Sequence, residues 1–135
     1  MKDFPYGEVK SIAYLSPWIT LEQYGNDGFV MDRRMPDADD IAAAQKGMKR
    51  AEAAMADGKY DIVILDEICV AIHYGLLKTD TLLRFLEDKP HDVELILTGR
   101  YCPPELMEKA DLVTEMKEIR HYYQKGIPAR KGIES

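Results

Sequence analysis

Two acids, Asp66 and Glu67, follow directly on the apolar run Ile62-Val63-Ile64-Leu65. A buried strand aims the residues at its carboxyl end into the crevice above the sheet, where open α/β folds bind ligands. Carboxylates in that position can hold Mg²⁺ against the phosphates of a nucleotide, because Mg²⁺ takes oxygen ligands and is commonly bound through one or two carboxylates plus phosphate. The plainer reading is that Asp66 or Glu67 merely begins the next helix. Thr98-Gly99-Arg100 sits at the carboxyl end of a second strand-like stretch, Val93–Thr98. In a parallel sheet these residues face the same crevice. There the guanidinium fork of Arg100 either reaches phosphate oxygens or pairs with a neighbouring carboxylate.

A strand ending in acids calls for a glycine-rich phosphate loop of the form Gly-x-x-x-x-Gly-Lys-Ser/Thr. The sequence holds one Gly-Lys, Gly58-Lys59, but Tyr60 follows where Ser or Thr is required and Ala53 stands in place of the first glycine. No such loop is present in these residues. The histidines show no metal-ligand spacing: His73 falls in a helical stretch, His91 in a loop and His121 in a short strand near the tail. Cys69 and Cys102 form no Cys-x-x-Cys pair and read as two reduced thiols of a cytoplasmic protein.

The elements that must position these groups follow from periodicity. Tyr60–Asp66 is the strongest strand, and its unbroken apolar run implies burial on both faces, as in a parallel sheet. Val93–Thr98 is a second. From Asp39 to Asp57 the residues Ile41, Ala44, Met48, Ala51 and Met55 recur at spacings of three and four, a helical stripe. Asp37 can cap its start, Asp39 and Asp40 suit the positive end of its dipole, and Gly58 can end it. Further helices are expected at about Ile68–Leu77, Thr79–Asp88 and Pro103–Lys109, and short strands at Val9–Leu15, Asp111–Glu115 and Ile119–Tyr123. Strands alternating with helices make an α/β fold with a largely parallel sheet.

Composition sets the outer limits. A chain of 135 residues fits one domain. With 46% hydrophobic and 31% charged residues it is an ordinary globular sequence rather than a disordered or disulfide-stapled one. No apolar run approaches the ~18 residues of a membrane span, and no secretory signal pattern opens the chain. The net charge of -6 argues against a broad nucleic-acid surface. The locally basic stretch is the tail, with Lys117, Arg120, Lys125, Arg130 and Lys131, which reads as a solvated face or an anion contact. Phe4, Tyr6, Tyr14, Trp18, Tyr24 and Phe29 crowd a turn-rich front, either as local packing or against a flat apolar ligand.

Taken jointly and in order, Gly7-Glu8, Gly28-Phe29, the alanine-rich helix, Tyr60–Glu67, Thr98-Gly99-Arg100, Ala110–Met116, His121 and Gly126–Glu134 resemble the P-loop corrinoid adenosyltransferases. These are also called cob(I)yrinic acid a,c-diamide adenosyltransferases. The resemblance implies a P-loop NTPase-like sheet flanked by helices. It also implies transfer of the 5′-deoxyadenosyl group of ATP to the reduced cobalt of a corrinoid, with Mg²⁺ on the departing triphosphate. By the same resemblance Glu67 would contact the metal, with Asp66 acting through water, and Thr98 and Arg100 would face the phosphates. Phe29 matches an aromatic that packs near the lower face of the corrin, and Met31 stands where the family tends to carry tryptophan. The family places its phosphate loop and first strands ahead of the point at which this sequence begins. The strand Tyr60–Asp66 is therefore expected to present an unpaired apolar edge, met by another copy in a homodimer or by further residues of a longer native protein. A non-catalytic corrinoid-binding or assembly module is the alternative, and a fragment of another P-loop ATPase is a third reading.

Overall fold

A computed structural model describes residues 7–25 and 35–130. Phe29 and Met31, the expected corrinoid contacts, lie outside the described residues. The described residues divide into two compact units, one holding residues 23–25 with 35–110 and the other residues 7–22 with 111–130.

The larger unit is built on helix α2, Ala38–Ala56, whose start is fixed by a reciprocal cap. The Asp37 carboxylate accepts from the backbone N–H groups of Asp39 at 3.0 Å and Asp40 at 2.9 Å, while the Asp40 carboxylate accepts from the Asp37 N–H at 3.1 Å. Donors that a helix end leaves unpaired are thereby satisfied. The cap explains why Asp40, only 4% exposed, is buried on the same face as Ala44, Met48, Ala51 and Met55. Ile41, expected in that stripe, is half-buried instead. Past the C-cap residue Asp57, Gly58 takes φ +69°, the left-handed turn that ends the helix.

Strands β1, Ile62–Leu65, and β2, Glu94–Leu97, form a two-stranded parallel sheet in the register Ile62↔Glu94 to Leu65↔Leu97. Between them run α3, Ile68–His73, and α4, Thr79–Glu87; α5, Pro104–Lys109, follows β2. Val63, Val93, Leu82, Phe85 and Leu106 join the methionines of α2 in one core. The expectation of burial on both faces of β1 is corrected here. Val63 and Leu65 face the core, but Ile62 and Ile64 are 55% and 58% exposed, and Ile96 beside them on β2 is 39% exposed. An unbroken apolar run signals a strand that can be covered on both sides. The described residues supply cover for one.

Met48 is 4% exposed at the centre of the α2 face, so Met48→Ala is expected to cost about 2–5 kcal/mol through lost burial and the cavity left behind. Chemical denaturation followed by circular dichroism measures it.

The smaller unit corrects three expectations. Val9–Leu15 is not a strand: Gly7–Ile12 is helix α1 and Ala13–Leu15 a 3-10 turn. Helical spacing sets the half-buried Val9 and Ile12 on one side, and the Ser11 hydroxyl donates back to the Gly7 carbonyl at 2.9 Å. Neither Asp111–Glu115 nor Ile119–Tyr123 forms a strand, since a short apolar stretch needs a neighbour for its backbone groups and none is paired to it. His121, expected in a strand, accepts instead from the Tyr123 N–H at 3.0 Å and caps the 3-10 turn Tyr122–Lys125. Among the described residues no helix is long and apolar enough to cross a membrane.

Candidate functional site

The parallel register brings the ends of β1 and β2 side by side, and Thr98 joins them. Its hydroxyl donates to Asp66 Oδ1 at 2.6 Å and accepts from the Glu67 backbone N–H at 2.9 Å. Its carbonyl accepts from the Cys69 N–H at 3.2 Å, and its own N–H donates to the Leu65 carbonyl at 3.2 Å. One residue thus fixes both acids and the start of α3.

Glu67 pays for its position with a left-handed backbone, φ 60° and ψ 21°, a conformation that costs a side-chain-bearing residue about 1–2 kcal/mol. Such geometry persists where surrounding bonds over-determine it. Here the Glu67 N–H is held by Thr98, and its carbonyl accepts from Val70 and Ala71, each at 3.1 Å. Glu67 does occupy the N-cap position of α3, as the plainer sequence reading has it, yet its side chain makes no capping bond. The carboxylate stands exposed at the strand ends beside Asp66.

Gly99 is where backbone must pass backbone. At φ +135° a Cβ would lie 3.0 Å from Cys69 Cβ and 3.2 Å from the amide nitrogens of Cys69 and Val70. Beyond it Arg100 is exposed and makes no hydrogen bond or ion pair among the described residues, so its guanidinium is available to an anion rather than tied to Asp66 or Glu67. The loop then returns to α3. Tyr101, also left-handed at φ 61°, stacks on His73 with ring centroids 4.1 Å apart and planes 24° apart. The stack brackets α3 at its far end, and nothing in the spacing of a lone histidine and a lone tyrosine points to it.

No group of three or more His, Cys, Asp and Glu side chains converges among the described residues. The donor set at the strand ends is two exposed carboxylates and a hydroxyl. That is all-oxygen and sparse, which suits a cation that keeps most of its water or phosphate ligands rather than one held in a protein cage.

A family described as ATP:corrinoid adenosyltransferase BtuR/CobO/CobP matches residues 1–135. The chain belongs to this family. Its relatives include a corrinoid adenosyltransferase of Sinorhizobium sp., 42% identical over 98 residues, which are 72% of this chain and 46% of that protein. Corrinoid adenosyltransferases of Pseudomonas aeruginosa, 38% identical over 95 residues, and Escherichia coli K12, 32% identical over 107, cover 70% and 79% of this chain and 47% and 54% of their own. The adenosyltransferase-family chain thus spans about half the length of these relatives.

Directly beneath the site of this family member, Cys69 is buried. Burial pushes its thiol up to about 12 from an ordinary 9.0, helped by a hydrogen bond and charge repulsion from Cys102 and by the charge of Glu67. The folded state therefore keeps a proton that the unfolded chain loses above pH 9, and this contribution to stability falls as pH rises from 9 towards 12. Native alkylation at pH 8 is expected to label the half-buried Cys102 and spare Cys69, with both labelled after unfolding; mass spectrometry of the peptides reads the result.

Proposed function

We propose that this chain carries the magnesium side of a site that transfers the 5′-deoxyadenosyl group of ATP to the reduced cobalt of a corrinoid. The observation that carries the reading is the Thr98 bridge, which fixes Asp66 and the Glu67 backbone while leaving the Glu67 carboxylate exposed at the strand ends. Glu67 would hold Mg²⁺, with Asp66 acting through water, and the ion would stabilise charge on the departing triphosphate. Arg100 adds a planar, permanently charged donor for phosphate oxygens. Thr98 keeps the strand ends in register while ligands exchange. Reduced cobalt is itself a strong nucleophile, so these residues contribute placement and electrostatics rather than a nucleophile of their own. Phe29 and Met31 belong to the corrinoid side of the same proposal. The sheet with its carboxyl-end acids is the part of a P-loop-like fold that this reading needs. A cytoplasmic setting, a homodimer and no nucleic-acid partner complete it.

A second reading, a non-catalytic corrinoid-binding or assembly module, is favoured by the open Ile62, Ile64 and Ile96 face. The test mixes chemically reduced cobalamin with folded protein, ATP and Mg²⁺ and follows the absorbance of the reduced corrinoid. Conversion to adenosylcobalamin supports the transferase reading. Corrinoid binding with neither conversion nor magnesium–ATP binding supports the module and overturns it.

A further inference from the structure

Cys69 and Cys102 have no part in the reaction proposed above, yet the fold brings them together. Cys69 stands in the first turn of α3, where its N–H is held by the Thr98 carbonyl at 3.2 Å. His73 lies four residues on, so the two side chains share one face of that helix. The chain leaving β2 runs along this face. A Cβ on Gly99 would lie 3.0 Å from Cys69 Cβ, and the Tyr101 ring stacks on His73 with centroids 4.1 Å apart. Held at these two points, the loop sets Cys102 against Cys69, and the two thiols are hydrogen-bonded within one apolar cluster. We propose that Cys69 and Cys102 are a redox modification site, a dithiol that low-molecular-weight disulfides convert to an intramolecular disulfide, and that closure weakens the hold of the strand ends on magnesium-bound phosphate.

Entry is through Cys102, which is half-buried, whereas Cys69 is only 3% exposed. The Cys102 thiolate attacks one sulfur of oxidised glutathione, forming a mixed disulfide and expelling one glutathione thiolate. The Cys69 sulfur then attacks the Cys102 sulfur, the mixed S–S bond breaks and the second glutathione thiolate leaves. The two protons given up by the cysteines end on the two glutathione thiols, so the protein dithiol is oxidised and the reagent reduced. A buried thiol is a poor partner for a molecule in solution. It is a competent one for a sulfur already beside it, because held geometry replaces a bimolecular encounter. Bonded sulfurs stand ~2.05 Å apart, closer than hydrogen-bonded ones, so closure draws the loop and α3 together. Gly99 leaves no slack between them, since it already packs on Cys69 and on the Val70 amide. The displacement passes to Thr98 and Glu67, which flank the pair in sequence and are joined by the hydroxyl bridge. This last step rests on the function proposed above; the disulfide does not.

Mass spectrometry of the folded protein after exposure to oxidised glutathione tests the pair. Samples are quenched in acid, unfolded, alkylated and digested. The wild-type chain is expected to lose two hydrogens, yield a linked Cys69–Cys102 peptide, retain no glutathione and revert with dithiothreitol. Cys69→Ala is expected to keep one glutathione on Cys102, and Cys102→Ser to leave Cys69 reduced, since Cys69 is buried. A wild-type chain that holds glutathione on Cys102 beside a free Cys69 overturns the proposal. So does one that links Cys102 to a second copy, or one that does not react. Calorimetry with magnesium tripolyphosphate then reads the strand ends. The oxidised wild type is expected to bind it several-fold more weakly than the reduced form, and dithiothreitol to restore the affinity. Cys102→Ser is expected to bind equally before and after the oxidant. Equal affinity of the oxidised and reduced wild type overturns the control of the site and leaves the disulfide standing. Binding by neither form overturns that control together with the magnesium reading of the site, again without touching the disulfide.

Discussion

Gly99→Ala is expected to cost about 2–5 kcal/mol of stability, a large share of the 5–15 kcal/mol that holds an ordinary domain together. Two separate penalties meet there. At φ +135° the backbone sits in a region that side-chain-bearing residues rarely adopt, so any Cβ is strained whatever the space around it. The space is also taken: the added carbon would stand 3.0 Å from Cys69 Cβ and 3.2 Å from two backbone nitrogens, none of them the end of a flexible chain. Relief would push β2's end away from α3 and stretch the bond from Cys69 N–H to the Thr98 carbonyl. Gly75→Ala is the control, because Gly75 has φ +77° with nothing within 4 Å of the added carbon. It is expected to lose only about 1–2 kcal/mol. Urea denaturation of both variants measures the difference, which combines the crowding at Gly99 with the greater strain of φ +135° over φ +77°. Equal losses would show that Gly99 is required for its conformation alone.

The contrast between those glycines shows where sequence reading stops. Gly58 was legible as a helix terminator because the stripe from Ala44 to Met55 runs out just before it. Asp37 was legible as a cap because it precedes that stripe, although the returning bond from Asp40, which buries a carboxylate, was not. The two strands stood out as runs of Val, Ile and Leu. Their register and the bond network at their ends depend on residues some thirty positions apart, and local pattern carries nothing about such contacts. Thr98 and Glu67 were picked out as residues facing one crevice; that a hydroxyl joins them could only come from the structure. Tyr101 on His73 is the clearest case, a stack that closes a loop over α3 with neither residue marked in advance. The failed strands at the front and tail have a different cause. Val9–Leu15 and Ile119–Tyr123 have strand-like composition, but composition expresses a capacity to pair, and pairing also needs a neighbour.

The strongest expected effect at the candidate site comes from Glu67, and Thr98 gives the way to understand it. Glu67→Ala removes the exposed carboxylate, and under the proposed function transfer is expected to fall on the order of 10²–10³-fold, as when one charge-stabilising group is taken from an active site. Thr98→Val keeps the shape of the side chain but removes both the donor to Asp66 and the acceptor for the Glu67 N–H. In the proposed site Thr98 would act as a positioning residue, so the expected loss is smaller, roughly 10–100-fold in apparent Mg²⁺ affinity. General destabilisation would lower activity at every Mg²⁺ concentration. Loss of positioning instead moves the Mg²⁺ titration midpoint and lets saturating metal recover much of the rate. Thr98→Ser, which retains the hydroxyl, is expected to restore the midpoint. If Thr98→Val leaves that midpoint unchanged while Glu67→Ala abolishes transfer, the hydroxyl bridge serves the fold alone, and the left-handed Glu67 backbone is held well enough by its carbonyl bonds to Val70 and Ala71. If Glu67→Ala keeps full activity, the carboxylate is not the metal ligand and the proposed site moves elsewhere on the chain.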